Sequence, residues 1–179
     1  MNLVRVVRTY LELRSPNALR SATRDDPALR LARMAPDDIR LFRELYHDVG
    51  HAHQWHDRNS LSDRELRAHF ESPDVALWVL YHDDTPAGFF ELRRHADDSV
   101  EIVYFGLTAA FTGRGLGKHL LSRAAETAWA LGAERVWLHT CTLDSPAALP
   151  NYLARGFEPY ETESYQAVVR DDQPDTPND

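Results

Sequence analysis

The sequence predicts a single domain of the α/β (α+β) class, with a mixed, mostly antiparallel central sheet flanked by helices. Two observations carry this. Three strand-like runs, residues 75–81, 86–93 and 100–107, follow one another across short polar connections, which join antiparallel neighbours. The period then changes. Leu116, Leu120, Ala124 and Ala128 recur every four residues, while Lys118, Arg123, Glu126 and Thr127 fall on other faces. This is an amphipathic helix of about four turns, with Gly132 placed to end it. Residues 135–140 read as a strand reached by a helical crossover, and so parallel to the strand before it.

The remaining elements follow from local signals. Residues 3–13 are strand-like and end at the turn Arg14-Ser15-Pro16, with a short helix expected from there to Asp25. Residues 29–34 read as a second strand. Pro36 and Asp37 open a helix carrying Ile39, Leu41, Phe42, Leu45 and Tyr46, which Gly50 breaks. Ser60 or Ser62 caps another helix, to about Glu71. Ser145-Pro146 starts a last helix that ends near Gly156, where Pro150 forces a kink or a late start. One or two strands follow from Phe157 to Val169. Residues 1–28 are expected as an extension packed on a domain of residues 29–170, and residues 171–179 as a disordered acidic tail.

Composition narrows the function. The 179 residues suit one domain with a real core. A lone cysteine, Cys141, excludes an internal disulfide and fits a reducing compartment. No apolar run approaches the ~20 residues of a membrane span, and Met1 to Arg8 lacks the order of a signal peptide. A cytoplasmic protein without membrane attachment is expected. Half of the net charge of −8 sits on the segment after Arg170, which has four aspartates and no basic residue. The rest is mildly acidic, which argues against sequence-independent nucleic-acid binding.

Residues 108–118 carry most of the chemical information. Thr108, Ala109, Thr112, Gly113, Arg114, Gly115, Leu116, Gly117 and Lys118 span the change from strand to helix. Glycines let the backbone approach a ligand, and N–H groups at a helix start point at negative charge. A phosphate-bearing ligand is implied. The nucleotide P-loop requires Ser or Thr after Gly-Lys, and here His119 follows Lys118. The dinucleotide fingerprint requires a third glycine one residue later than Gly117, in an early βαβ unit.

A second segment, Ser145-Pro-Ala-Ala148-Leu-Pro-Asn-Tyr152-Leu-Ala-Arg-Gly156-Phe157, follows a helix and a strand later. With these two motifs in this order, the chain resembles the GNAT superfamily of acetyl-coenzyme A-dependent N-acetyltransferases over about residues 30–165. Gly115 and Gly117 match the small positions of that family's Arg/Gln-x-x-Gly-x-Gly/Ala loop, and Leu107 its strand end. Thr112 departs from the Arg/Gln position. The later motif, Asn-x-x-Ala-x-x-x-Tyr-x-x-x-Gly-Phe, keeps its alanine, tyrosine and Gly-Phe in register, with Ser145 replacing asparagine.

The resemblance implies transfer of an acetyl group from acetyl-CoA to an amine. The pyrophosphate would rest on the amides of Arg114 to Lys118, with the pantetheine arm along Leu107, Thr108 and Ala109. Glu101, six residues before Leu107, matches a catalytic glutamate of several members and is the expected general base. Period 2 puts it on the face of Val103, Phe105 and Leu107. Glu91 is the alternative. Tyr152 is the expected general acid. Tyr46, His53, Trp55, His56 and Asp57 would shape the pocket of a small-molecule or peptide amine acceptor. His47, His51, His53 and His56 with Asp57 also have the look of a metal site, but that chemistry requires no metal and none is expected. A homodimer is left open, as is a non-catalytic acyl-CoA-binding domain on the same scaffold.

Overall fold

A computed structural model describes residues 2–169; the expected acidic tail lies outside them. The strands are β1 (Asn2–Leu13), β2 (Leu29–Arg33), β3 (Val75–His82), β4 (Thr85–Arg94), β5 (Ser99–Leu107), β6 (Arg135–Cys141) and β7 (Glu158–Val169). The helices are α1 (Ile39–Gly50), α2 (Asp63–Phe70), α3 (Leu116–Ala130) and α4 (Ala148–Ala154). The strands form one sheet in the order β2-β3-β4-β5-β6-β1-β7. Its pairings are antiparallel apart from β5 with β6, which the helical crossover through α3 makes parallel.

Alternation along the strands builds a core on each face. Ala76, Leu80, Phe90 and Leu92 join Leu120, Leu121, Ala124 and Ala125 of α3. Val75, Leu77, Val79 and Phe89 join Phe42, Leu45 and Tyr46 of α1 and Leu66 and Phe70 of α2. Ser62 starts α2 with a reciprocal capping box to Glu65, satisfying two first-turn N–H groups.

Residues 1–28 divide in two. Residues 2–13 are β1, hydrogen-bonded to β6 on one side and β7 on the other. They complete the sheet rather than cover it. The segment after β1 does not form the expected helix to Asp25: only Pro16–Ala18 make a 3-10 turn. Beyond it the backbone finds partners across α3 and α4 instead. Arg20 N–H donates to Arg155 C=O at 2.9 Å, Ala22 N–H to Ser122 Oγ at 2.9 Å and Arg24 N–H to His119 Nδ1 at 2.9 Å. Groups satisfied by another element do not need a helix of their own.

Two irregularities open the sheet. The β4–β5 register jumps between Glu91↔Tyr104 and Leu92↔Ile102, leaving Val103 as a bulge. The parallel pairing of β5 with β6 covers Ser99↔Arg135, Val100↔Val136 and Glu101↔Trp137 and then stops. Past that fork the two strands part.

Candidate active site

The gap between the parted strands is a cavity of about 720 Å³. Residues 102–107 of β5 form one wall, and Leu138, His139 and Cys141 of β6 the other. The glycine turn and α4 close one end. The segment 53–57, with Arg8 of β1 and Tyr165 of β7, closes the other.

The turn is a backbone device. Gly113 and Gly115 both have φ of +73°, a conformation that costs a residue with a Cβ roughly 1–2 kcal/mol. A Cβ at Gly113 would meet nothing within 4 Å, and at Gly115 only Lys118 Cε at 3.7 Å. Conformation, not crowding, therefore requires glycine. No side chain caps α3, so its first N–H groups and the positive end of its dipole face the turn. Arg24 Nη1 donates to the Arg114 carbonyl at 3.0 Å, bracing the turn from the N-terminal segment.

The predicted coenzyme residues divide. Leu107, Thr112, Gly113, Gly115, Gly117, Lys118 and Ser145 line the cavity. Leu116 is buried in the core beneath α3. Thr108 binds the Ala87 carbonyl through its N–H, at 2.9 Å. Ala109 is exposed in a 3-10 turn. The Arg114 guanidinium stacks on Phe111, 5.0 Å from the ring centroid.

Tyr152 lines the same end, 7% exposed. Its ring meets Phe105 and Phe157 edge-on. Burial, and then the charge of Asp144, push its phenol pKa well above the ordinary value, so it holds its proton. The helix carrying it starts at Ala148, not Ser145. Pro150 then falls in the first turn, where a missing N–H costs no helical bond. Asn151 Nδ2 donates to Gly117 C=O at 3.2 Å, tying α4 to the start of α3.

Glu101 is placed otherwise than alternation predicts. The bulge at Val103 reverses the parity of β5. Val100, Ile102, Phe105 and Leu107 pack in the α3-side core, whereas Tyr104 packs in the α1–α2 core. Glu101 therefore shares a face with Tyr104, not with Phe105 and Leu107. Its Oε2 lies 2.9 Å from His95 Nε2, and it stands at the fork, outside the cavity lining. Glu91 is fully buried and holds Arg58 and His69, each at 2.8 Å.

That buried cluster anchors the acceptor wall. Arg58 follows directly on His53, Trp55, His56 and Asp57, all of which line the cavity. Its N–H donates to Tyr46 Oη at 3.3 Å, and its guanidinium lies over Tyr104. Trp55 packs on Gly50, where a Cβ would sit 2.6 Å from the indole. Tyr46 is 2% exposed and backs the wall rather than lining it. Tyr104 Oη donates to Asp57 Oδ2 at 3.3 Å. Among the described residues, no group of three or more His, Cys, Asp or Glu side chains has metal-holding spacing.

The wall also contains side chains that sequence reasoning did not assign. His139 opens on the cavity, while the protein mass around it, and then Arg8, lower its pKa. Burial likewise raises that of Cys141. Arg8 Nη2 reaches Tyr165 Oη at 3.1 Å, and Arg8 Nη1 reaches Glu163 at 3.1 Å.

The sequence profile of the acetyltransferase (GNAT) family matches residues 40–157. The chain belongs to this family. A mycothiol acetyltransferase of Corynebacterium efficiens is 32% identical over 112 residues, covering 59% of this chain and 37% of that protein. The chain thus spans little more than a third of that curated relative. Among solved structures, a GCN5-related N-acetyltransferase from Kribbella flavida has a TM-score of 0.66 at 19% identity, covering 92% of this chain and 58% of that one. Another, from Sphaerobacter thermophilus, has a TM-score of 0.67 at 14% identity, covering 92% and 52%. At these identities the structures attest the fold. The GNAT match spans the turn, α3 and α4, whereas Arg8 and Tyr165 lie outside it. No motif marked those two, because β1 and β7 bring them to the cavity only through sheet pairing.

Proposed function

We propose that this GNAT protein transfers an acetyl group from acetyl-CoA to a primary amine. The observation that carries the reading is the single cavity through the forked sheet. One end is a left-handed glycine turn at a helix start, suited to a pyrophosphate. The other is an aromatic and acidic wall suited to a cationic amine. The residues fit acetyl-CoA. Gly115, Gly117 and Lys118 would hold the pyrophosphate, and residues 102–107 would run beside the pantetheine arm. The thioester supplies the activated acyl carbon. Tyr152, protonated across the physiological range, would give its proton to the departing thiolate. Trp55, His56 and Asp57 would bind the acceptor.

One observation favours a second reading, an acyl-CoA-binding domain without catalysis. Glu101, the expected base, is held by His95 outside the cavity lining. A base there acts only through an intervening group. The test is free coenzyme A release with a panel of primary amines, run on the wild type, Glu101→Gln and Tyr152→Phe. Loss of turnover in Tyr152→Phe with coenzyme A binding intact supports transfer. Binding without turnover by the wild type, whatever the amine, supports the second reading.

A further inference from the structure

We propose that His139 takes the acceptor's proton, with Glu101 stabilising the resulting imidazolium from the adjoining strand. This rests on the acetyltransferase reading above and adds a base to it.

Position is the first argument. The last paired residues before the fork are Glu101 and Trp137. His139 lies two residues further along β6, on the same face as Trp137. It is the first side chain of that face beyond the fork, and it lines the cavity. Tyr10 meets its ring edge-on, at a centroid distance of 5.6 Å.

Elimination is the second argument. Asp57 accepts from Tyr104. Asp144 accepts from Thr140 Oγ1 and the Cys141 N–H, both at 2.8 Å. His53 Nδ1 lies 3.4 Å from Leu143 C=O, and His56 Nε2 3.4 Å from Gln54 Oε1. The ring nitrogens of His139 have no hydrogen-bond partner among the described residues. His53 and His56 each donate one ring N–H and keep the other nitrogen as an acceptor, but neither stands at the fork; His139 is the cavity imidazole on β6 that does.

Charge is the third. The protein mass around the cavity mouth, and then Arg8 of β1, favour the neutral ring. Glu101 of β5, Asp144 after β6 and Glu163 of β7 pull the other way without overcoming them. The ring is thus unprotonated near neutral pH and faces three carboxylates that would stabilise it once charged.

The step balances. The neutral amine nitrogen attacks the thioester carbonyl carbon and forms the C–N bond, and one nitrogen proton passes to His139. The C–S bond breaks, and the thiolate takes the Tyr152 phenolic proton. Solvent carries the proton from the imidazolium back to the phenolate. Amine and acetyl-CoA become amide and coenzyme A, with no other reactant.

The experiment combines an NMR titration of His139 in the coenzyme-free protein with pH profiles of kcat/KM for wild type, His139→Gln and Glu101→Gln. Coenzyme A affinity is measured on all three as a check of folding. His139 is expected to titrate below the ordinary histidine value of about 6.5. The wild-type profile is expected to bend at that same pH on its acid side. His139→Gln loses the bend and about 10²-fold in kcat/KM, with coenzyme A affinity unchanged. Glu101→Gln keeps the bend and moves it to lower pH, since a carboxylate that favoured the imidazolium is gone. A bend that survives in His139→Gln and disappears in Glu101→Gln overturns the proposal, as does a His139 that titrates above the ordinary value. A wild type that acetylates no amine sinks the acetyltransferase reading and the base with it. Turnover unaffected in His139→Gln sinks the base alone.

Discussion

The two ends of the cavity are built differently. The glycine end is backbone: two left-handed glycines, an uncapped helix start and a carbonyl braced by Arg24, all within a short stretch of chain. The acceptor end is side chains drawn from afar: Arg8, the segment 53–57, Tyr104, His139 and Tyr165. A backbone site needs a few residues at fixed spacing. A side-chain site needs the whole sheet to be in register. The difference predicts that damage at one end leaves the other working.

The largest expected effect is on the acceptor wall. Arg58→Met leaves the fully buried Glu91 with His69 but without its guanidinium partner. Stripping a buried ion of its partner costs about 3–5 kcal/mol. Urea unfolding should show this loss, and the acceptor KM should rise while coenzyme A binding persists in the folded fraction. Unchanged stability would mean that the cluster does not anchor the wall.

Next is Tyr152→Phe, on α4 at the glycine end. Turnover should fall about 10²-fold, with the dissociation constant of coenzyme A within a factor of about two. The pH dependence follows from the sign of the shift. The raised phenol pKa keeps Tyr152 protonated beyond the ordinary tyrosine value of about 10. Wild-type turnover should therefore show no basic limb below that value. A limb between pH 7 and 9 would assign the proton donor elsewhere.

Gly115→Val should weaken coenzyme A binding about tenfold, the equivalent of about 1.4 kcal/mol. The acceptor KM should not move, which calorimetry and kinetics together can check. Asp57→Asn should do the reverse and more gently: the KM for a cationic amine rises about threefold and coenzyme A affinity is unchanged. That is the scale of a partly solvated charge contact. If either variant moved both constants, the two ends would be coupled through the fork.

The same contrast explains what the sequence revealed. The turn, α3 and the Tyr152 motif were legible because their chemistry is local and their spacing fixed. The antiparallel meander and the parallel crossover were legible from connection length. Glu101 was read onto the wrong face because a one-residue bulge at Val103 reverses strand parity and leaves no mark in composition. The place of β1 between β6 and β7 was missed for a related reason: strand pairing across the whole chain length has no local signal. Arg8 was hidden with it, and His139 by the fork, since where the pairing of β5 with β6 stops has no local signal either. The expected helix before Asp25 failed because α3 side chains took its backbone donors.

The central claim is that this cavity moves an acetyl group onto an amine. Mass spectrometry of amine panels incubated with acetyl-CoA and the wild-type protein tests it most directly. The account predicts at least one N-acetylated amine, formed in equal amount to free coenzyme A and about 10²-fold more slowly with Tyr152→Phe. Tight binding of acetyl-CoA with no acetylated amine, and release no faster than without protein, would contradict it.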